Sequence, residues 1–154
     1  MIAHLLTPLN SHQTSLVKDP NTDHCILIFR GTNIDKGALD GEESLFRDFH
    51  WAGIGRTSFK QRKEDILNMI ELYLNDALDN VTLHLSGHSL GGCDTQRALL
   101  AILEKIVSEA PSGSSWSKLK KIILTTFNAP KPNPTVNKRF KVAIKNIHDS
   151  NIKI

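Results

Sequence analysis

A chain of 154 residues, 40% hydrophobic and 23% charged, has room for one domain and enough apolar content to bury a core, which excludes a disordered polypeptide. No apolar run approaches the roughly 20 residues that span a bilayer, so no transmembrane segment is expected. The formal charge of +3 is uneven: residues 118–154 carry nine Lys/Arg against one acid, and the first 117 residues carry ten against fifteen.

Met1 to Asn10 holds a short apolar patch with no basic flank before it and no small-residue cleavage site after it. It does not read as a secretory signal, which leaves the cytoplasm as the default location. Gln13 to Val17 and Cys25 to Phe29 are β-type runs joined by the turn-rich Asp19 to Asp23, as in a hairpin or two adjacent strands. Between Phe59 and Leu78, Ile66, Ile70, Tyr73 and Ala77 recur every three or four positions, beside Leu67, Leu74 and Leu78, which predicts an amphipathic helix. Val81 to Ser86 reads as a strand. Leu90 to Val107 reads as a helix with a wide apolar stripe, ended by Pro111 and the Ser/Gly cluster that runs to Ser117. Lys121 to Phe127 is a β-branched strand, with Lys118, Lys120 and Lys121 as its solubilising flank. Pro130, Pro132 and Pro134 argue against helix in the loop that follows. A short helix over Thr135 to Lys141 and a last strand over Val142 to Ile147 complete the pattern.

Strands and helices that alternate in this way predict an α/β fold, a mostly parallel sheet flanked by helices, in a single domain. Lys138, Arg139, Lys141 and Lys145 alternate with Val136, Phe140, Ala143 and Ile144 at helical spacing, as a solvated face does opposite a buried one. With no aromatic interleaving and no recognised module, nucleic acid is not an expected partner. Cys25 and Cys93 lack metal-site spacing and read as buried small apolar residues; no metal or organic cofactor is expected.

Chemistry concentrates at Gly87-His88-Ser89-Leu90-Gly91-Gly92, between a predicted strand and a predicted helix. A G-x-S-x-G turn in that context is so tight that its serine sits in a strained backbone conformation, and side chains two positions to either side would collide. Ser89 Oγ is thereby pushed out above the carboxyl edge of the sheet. The helix that follows aims its first N–H groups and positive dipole end at the same place, which suits an oxyanion.

At these residues the chain resembles the α/β-hydrolase superfamily and, within it, the class 3 lipases, the family of the fungal triacylglycerol lipases. Ile26-Leu27-Ile28-Phe29-Arg30-Gly31-Thr32 is similar to the strand and turn that this family places before its first oxyanion-hole residue. The resemblance therefore implies Thr32 as one oxyanion donor and the backbone N–H of Leu90 as the second. Asp48-Phe49 falls where the family has a structural Asp-Leu pair after its lid, and Arg30 is expected to be structural, with Asp48 as a candidate partner. Phe127-Asn128-Ala129-Pro130-Lys131-Pro132-Asn133 resembles the family's Phe-Gly-x-Pro-Arg-x-Gly-Asn loop, with Asn128 in place of glycine. The order and spacing of these segments span residues 13–154 and imply a partial α/β-hydrolase fold.

A serine nucleophile needs a histidine to take its proton and a carboxylate to orient that histidine, in the chain order Ser, acid, His. Asp149 is the candidate acid: it would follow the last predicted strand, and Ile147-His148-Asp149-Ser150-Asn151-Ile152 resembles the family's Asn-x-x-Asp-x-Val segment. All seven histidines (His4, His12, His24, His50, His84, His88 and His148) precede Asp149, so the order implies that the catalytic histidine lies beyond Ile154. His88 should point away from Ser89 Oγ, and His84 should be a satisfied residue within the strand. His50 is the substitute its segment could bring over the site.

The expected reaction is hydrolysis of a lipid or small acyl ester. Ile34 to Ser44, at the position of the family's lid, is acidic and Gly-rich, a poor interfacial helix, and Gly55 to Phe59 replaces the family's His-x-Gly-Phe element. The alternative expectation is an inactive hydrolase-fold module that binds without cleaving.

Overall fold

Strands β2 (Thr14–Lys18) and β3 (His24–Phe29) form the antiparallel hairpin that the sequence suggests, with Leu16 opposite Leu27 and Lys18 opposite Cys25. The turn between them is held by Asp19, whose Oδ1 accepts the Asn21 N–H at 2.9 Å and whose own N–H donates to His24 O at 3.0 Å. That Asn21 N–H keeps the Asp19 carboxyl below its ordinary pKa. The computed structural model describes residues 4–5, 14–19, 21–31, 56–109, 113–129 and 134–147. Thr32, the 34–44 segment, Asp48, His50, Pro130 to Asn133, His148 and Asp149 lie outside them.

The sheet runs in the order β1 (His4–Leu5), β2, β3, β4 (Val81–His88), β5 (Leu119–Phe127), with β1 a two-residue edge paired to β2. Strand β4 lies parallel to β3, and β5 parallel to β4. Each parallel pair is joined by a helical crossover, α1 (Arg56–Asp76) before β4 and α2 (Leu90–Glu109) after it. This is a mixed α/β sheet whose parallel part carries the elbow at its centre.

Strand alternation sends Leu16, Cys25, Leu27, Phe29, Val81, Leu83 and Leu85 to one face, where they are buried with α1 and α2. Ile66, Ile70, Tyr73 and Leu74 of α1 and Leu99, Ile102, Leu103 and Ile106 of α2 complete this core. The strands predicted over Gln13 to Val17, Cys25 to Phe29, Val81 to Ser86 and Lys121 to Phe127 agree with β2 to β5 to within a few residues. Helix α1 stops at Asp76, leaving Leu78 exposed, and Val107 of the α2 stripe is partly exposed.

Two features of the segment before β5 differ from expectation. A 3-10 turn (Ser115–Lys118) occupies the predicted loop and buries Trp116 completely beneath α1 and α2. Lys118 is a helix cap: its Nζ donates to the carbonyls of Leu74 (3.0 Å), Asn75 (3.2 Å) and Ala77 (2.8 Å), the unsatisfied acceptors at the end of α1.

A single helix, α3 (Pro134–Ile147), replaces the predicted short helix and last strand. Pro134 opens it at the position where a missing N–H costs nothing. Helical period explains the rest. Val136, Phe140, Ala143 and Ile147, spaced four, three and four apart, turn toward α2 without burying a charge, whereas a strand that buried Ala143 and Ile147 would also bury Lys145.

Candidate active site

The turn after β4 has the strain expected of a nucleophile elbow. Ser89 has φ of 54°, the left-handed region that non-glycine residues occupy at a cost of about 1–2 kcal/mol. It is held there from both sides. Its N–H donates to Phe127 O at the end of β5 (2.9 Å), and its carbonyl accepts from Gly92 N (2.9 Å) and Cys93 N (3.3 Å) in the first turn of α2. The next residue, Leu90, is the first of α2, so its N–H has no acceptor within the helix.

The flanking glycines are there for close approach. A Cβ at Gly87 would collide with Thr95 Oγ1 and the Gly91 carbonyl; one at Gly91 would collide with the Phe29 carbonyl and the Arg30 carbonyl carbon. Helix α2 therefore starts in backbone contact with the end of β3. Gly31 extends this contact: a Cβ there would stand 2.8 Å from His88 O and 3.6 Å from Ser89 Cβ. The segment that leads to Thr32 is thus brought beside the serine, although Thr32 itself is outside the described residues. An open depression of about 400 Å³ lies at this edge, lined by Ile28, Arg30, Gly31, Ser86, His88 and Phe127 among others.

Asn128 has φ of 48°. The position after β5 therefore demands the left-handed conformation, and asparagine is the residue that tolerates it best after glycine. The departure from the Phe-Gly-x-Pro pattern noted in the sequence keeps the backbone geometry that the glycine would supply.

Three histidines have described side chains. His84 is half-buried on β4, its Nε2 2.9 Å from Thr125 Oγ1 of β5, as a satisfied strand residue. His88 is exposed at the end of β4, and His24 is exposed at the opposite end of β3. None of the three is hydrogen-bonded to Ser89 Oγ. Cys25 is buried as expected and its thiol is pushed up to about 12 by desolvation; Cys93 is half-buried, with its thiol raised for the same reason.

The replacement of the last predicted strand by α3 changes the argument for Asp149. Ala129, at the start of the β5–α3 loop, meets Gly92 at the beginning of α2, whereas Arg139 pairs with Glu104, about 20 Å further along the α2 axis. Helix α3 therefore runs in the same direction as α2, away from Ser89. Asp149 follows the far end of this helix in the chain, not a strand that ends at the carboxyl edge, and its assignment rests on the family resemblance alone.

Sequence reasoning missed the polar cluster that fixes α1 to the elbow. Asp94, buried one turn into α2, accepts from Arg62 Nη2 of α1 (2.8 Å) and from Arg97 Nη1 (3.0 Å), and Arg62 Nη1 reaches Thr14 Oγ1 (3.0 Å) at the end of β2. The signal available was an aspartate near the start of a helix predicted to be well buried, where a carboxylate needs a cationic partner. Among the described residues, no group of three His, Cys, Asp or Glu gathers as a metal site. None of the described helices is long and apolar enough to cross a membrane.

Searches against family models, curated proteins and solved structures gave no match to this chain.

Proposed function

We propose that the chain carries the nucleophile of a serine acyl-ester hydrolase of the class 3 lipase type, with Ser89 as that nucleophile. The observation that carries this reading is the left-handed Ser89 between glycines packed against backbone, at the carboxyl end of a central parallel strand and the start of a long helix. A turn used only for packing would need no such strain at a serine. A phosphate loop would want a lysine and a longer glycine spacing.

In this mechanism Ser89 Oγ attacks the ester carbonyl as a histidine takes its proton. The tetrahedral oxyanion is held by the Leu90 N–H and by Thr32, and collapse expels the alcohol, which takes the proton from the histidine, to leave an acyl-serine; the same histidine then takes a proton from the water that hydrolyses it and returns it to Ser89 Oγ. The depression next to this turn has a mixed lining, with Ile28 and Phe127 as apolar surface beside the polar Arg30, Ser86 and His88. Thr32 and the acid Asp149 enter from the family resemblance, as does a histidine later in the chain order.

The test is labelling with a fluorophosphonate probe, followed by a chain-length series of nitrophenyl esters. The full-length protein, with the histidine that the chain order puts after Ile154, should label and hydrolyse, and its Ser89→Ala variant should do neither. Full-length protein that takes no probe and turns over no ester overturns the reading in favour of a non-hydrolytic binding module on the same scaffold. Asp149→Asn belongs in the same series: a large loss of kcat supports it as the acid, and an unchanged rate places the acid elsewhere.

A further inference from the structure

We propose that the outward face of α3 docks on an anionic lipid bilayer. Lys138, Lys141 and Lys145 are exposed and, at spacings of three and four, form one stripe along this helix, about 10 Å long. None of them is ion-paired with a described residue, whereas Arg139, on the flank toward α2, is neutralised by Glu104. Lys120 and Lys121, both exposed on β5, add to the same sign, and no acid occurs in the sequence between Glu109 and Asp149. The inference stands on this surface and does not depend on the role of Ser89.

Charge alone would suit several polyanions; the residues between the lysines select among them. Val142 is 55% exposed within the stripe and Ile144 38% exposed beside it. An open groove of about 320 Å³ runs along the stripe between α2 and α3, lined by Val107, Val142, Ala143 and the side chains of Lys138 and Arg139, among others. Aliphatic groups between cations gain free energy at the boundary of headgroups and acyl chains and gain nothing at a nucleic-acid backbone. Phe140, the aromatic residue of α3, packs inward, so the face has no platform on which bases could stack. An acidic helix laid in the groove would meet a wall whose cation, Arg139, is already neutralised by Glu104, whereas a bilayer rests on the stripe of unpaired lysines without entering that far.

Each lysine near a negatively charged leaflet contributes about 1 kcal/mol, a factor of roughly five, so the three together account for on the order of 100-fold in partitioning. The experiment is co-sedimentation of the full chain with vesicles of phosphatidylcholine alone and with phosphatidylserine added. At about 0.1 M salt the protein should sediment only with the serine-containing vesicles, and raising salt to roughly 0.5 M should release it. Replacing all three lysines by glutamine should weaken partitioning by on the order of 100-fold with the circular dichroism spectrum unchanged, because all three side chains are exposed. Val142→Asp should weaken it several-fold, and Ser89→Ala should bind like the wild type. Equal binding to both vesicles, no binding to either, wild-type binding by the triple variant, or tighter salt-sensitive binding to an RNA or acidic-peptide probe would each overturn the proposal.

Discussion

The backbone N–H of Ser89 donates to the carbonyl of Phe127 at 2.9 Å, so that the end of β5 holds the serine in a conformation it would not choose. Ser89→Gly relieves the left-handed penalty of about 1–2 kcal/mol and returns part of it as extra entropy in the unfolded chain. The variant should be about 0.5–1 kcal/mol more stable than wild type in urea unfolding while it loses the hydroxyl proposed as nucleophile. A variant less stable than wild type would mean that the Ser89 side chain, not the backbone strain, dominates at this position.

The Asp94 carboxylate lies between two guanidinium groups, and removing it takes from both half-buried cations the buried acceptor that they share. Asp94→Ala should cost about 3–5 kcal/mol in urea unfolding. Arg97→Ala, which leaves the Arg62–Asp94 pair intact, should cost much less, so equal losses would refute the central place given to Arg62.

Lys118 closes the end of α1 by donating to three carbonyls. Lys118→Met keeps the stem and removes the donors, and is expected to lower stability by about 1–2 kcal/mol. Hydrogen exchange should report faster opening at the last turn of α1. Uniform loss of protection across the molecule would instead assign Lys118 to global packing.

Burial raises the Cys25 thiol from its ordinary 9.0 to about 12. The unfolded chain gives up this proton first, so the contribution is complete below pH 9 and is lost as pH rises toward 12. Tyr73, pushed up by the same desolvation, acts in the same direction. Denaturant midpoints measured across this interval should fall, and Cys25→Ala should flatten the fall; an identical slope in the variant would show that the thiol carries none of it.

The turn at Ser89 was legible because its demands are local: Gly-x-Ser-x-Gly between a strand and an apolar helix already implies a strained serine and backbone contacts too close for a Cβ. The hairpin turn at Asp19 and the buried period of α1 and α2 were legible for the same reason. Residues 142–147 were misread, because Val, Ala and Ile in a short run satisfy a strand as well as a helix; only packing along α2, which leaves Lys145 in solvent, separates the two.

What the sequence determined by itself, then, is the strained turn at Ser89 and most of the elements around it, since steric and hydrophobic periodicity act over a few residues. Tertiary structure alone decided that Lys118 caps a helix some 40 positions earlier in the chain, that Asp94 joins α1 to α2, and that α3 leads away from Ser89. Each of these depends on which groups meet across the fold, where the loss of solvent makes a polar contact obligatory. No local pattern records that pairing.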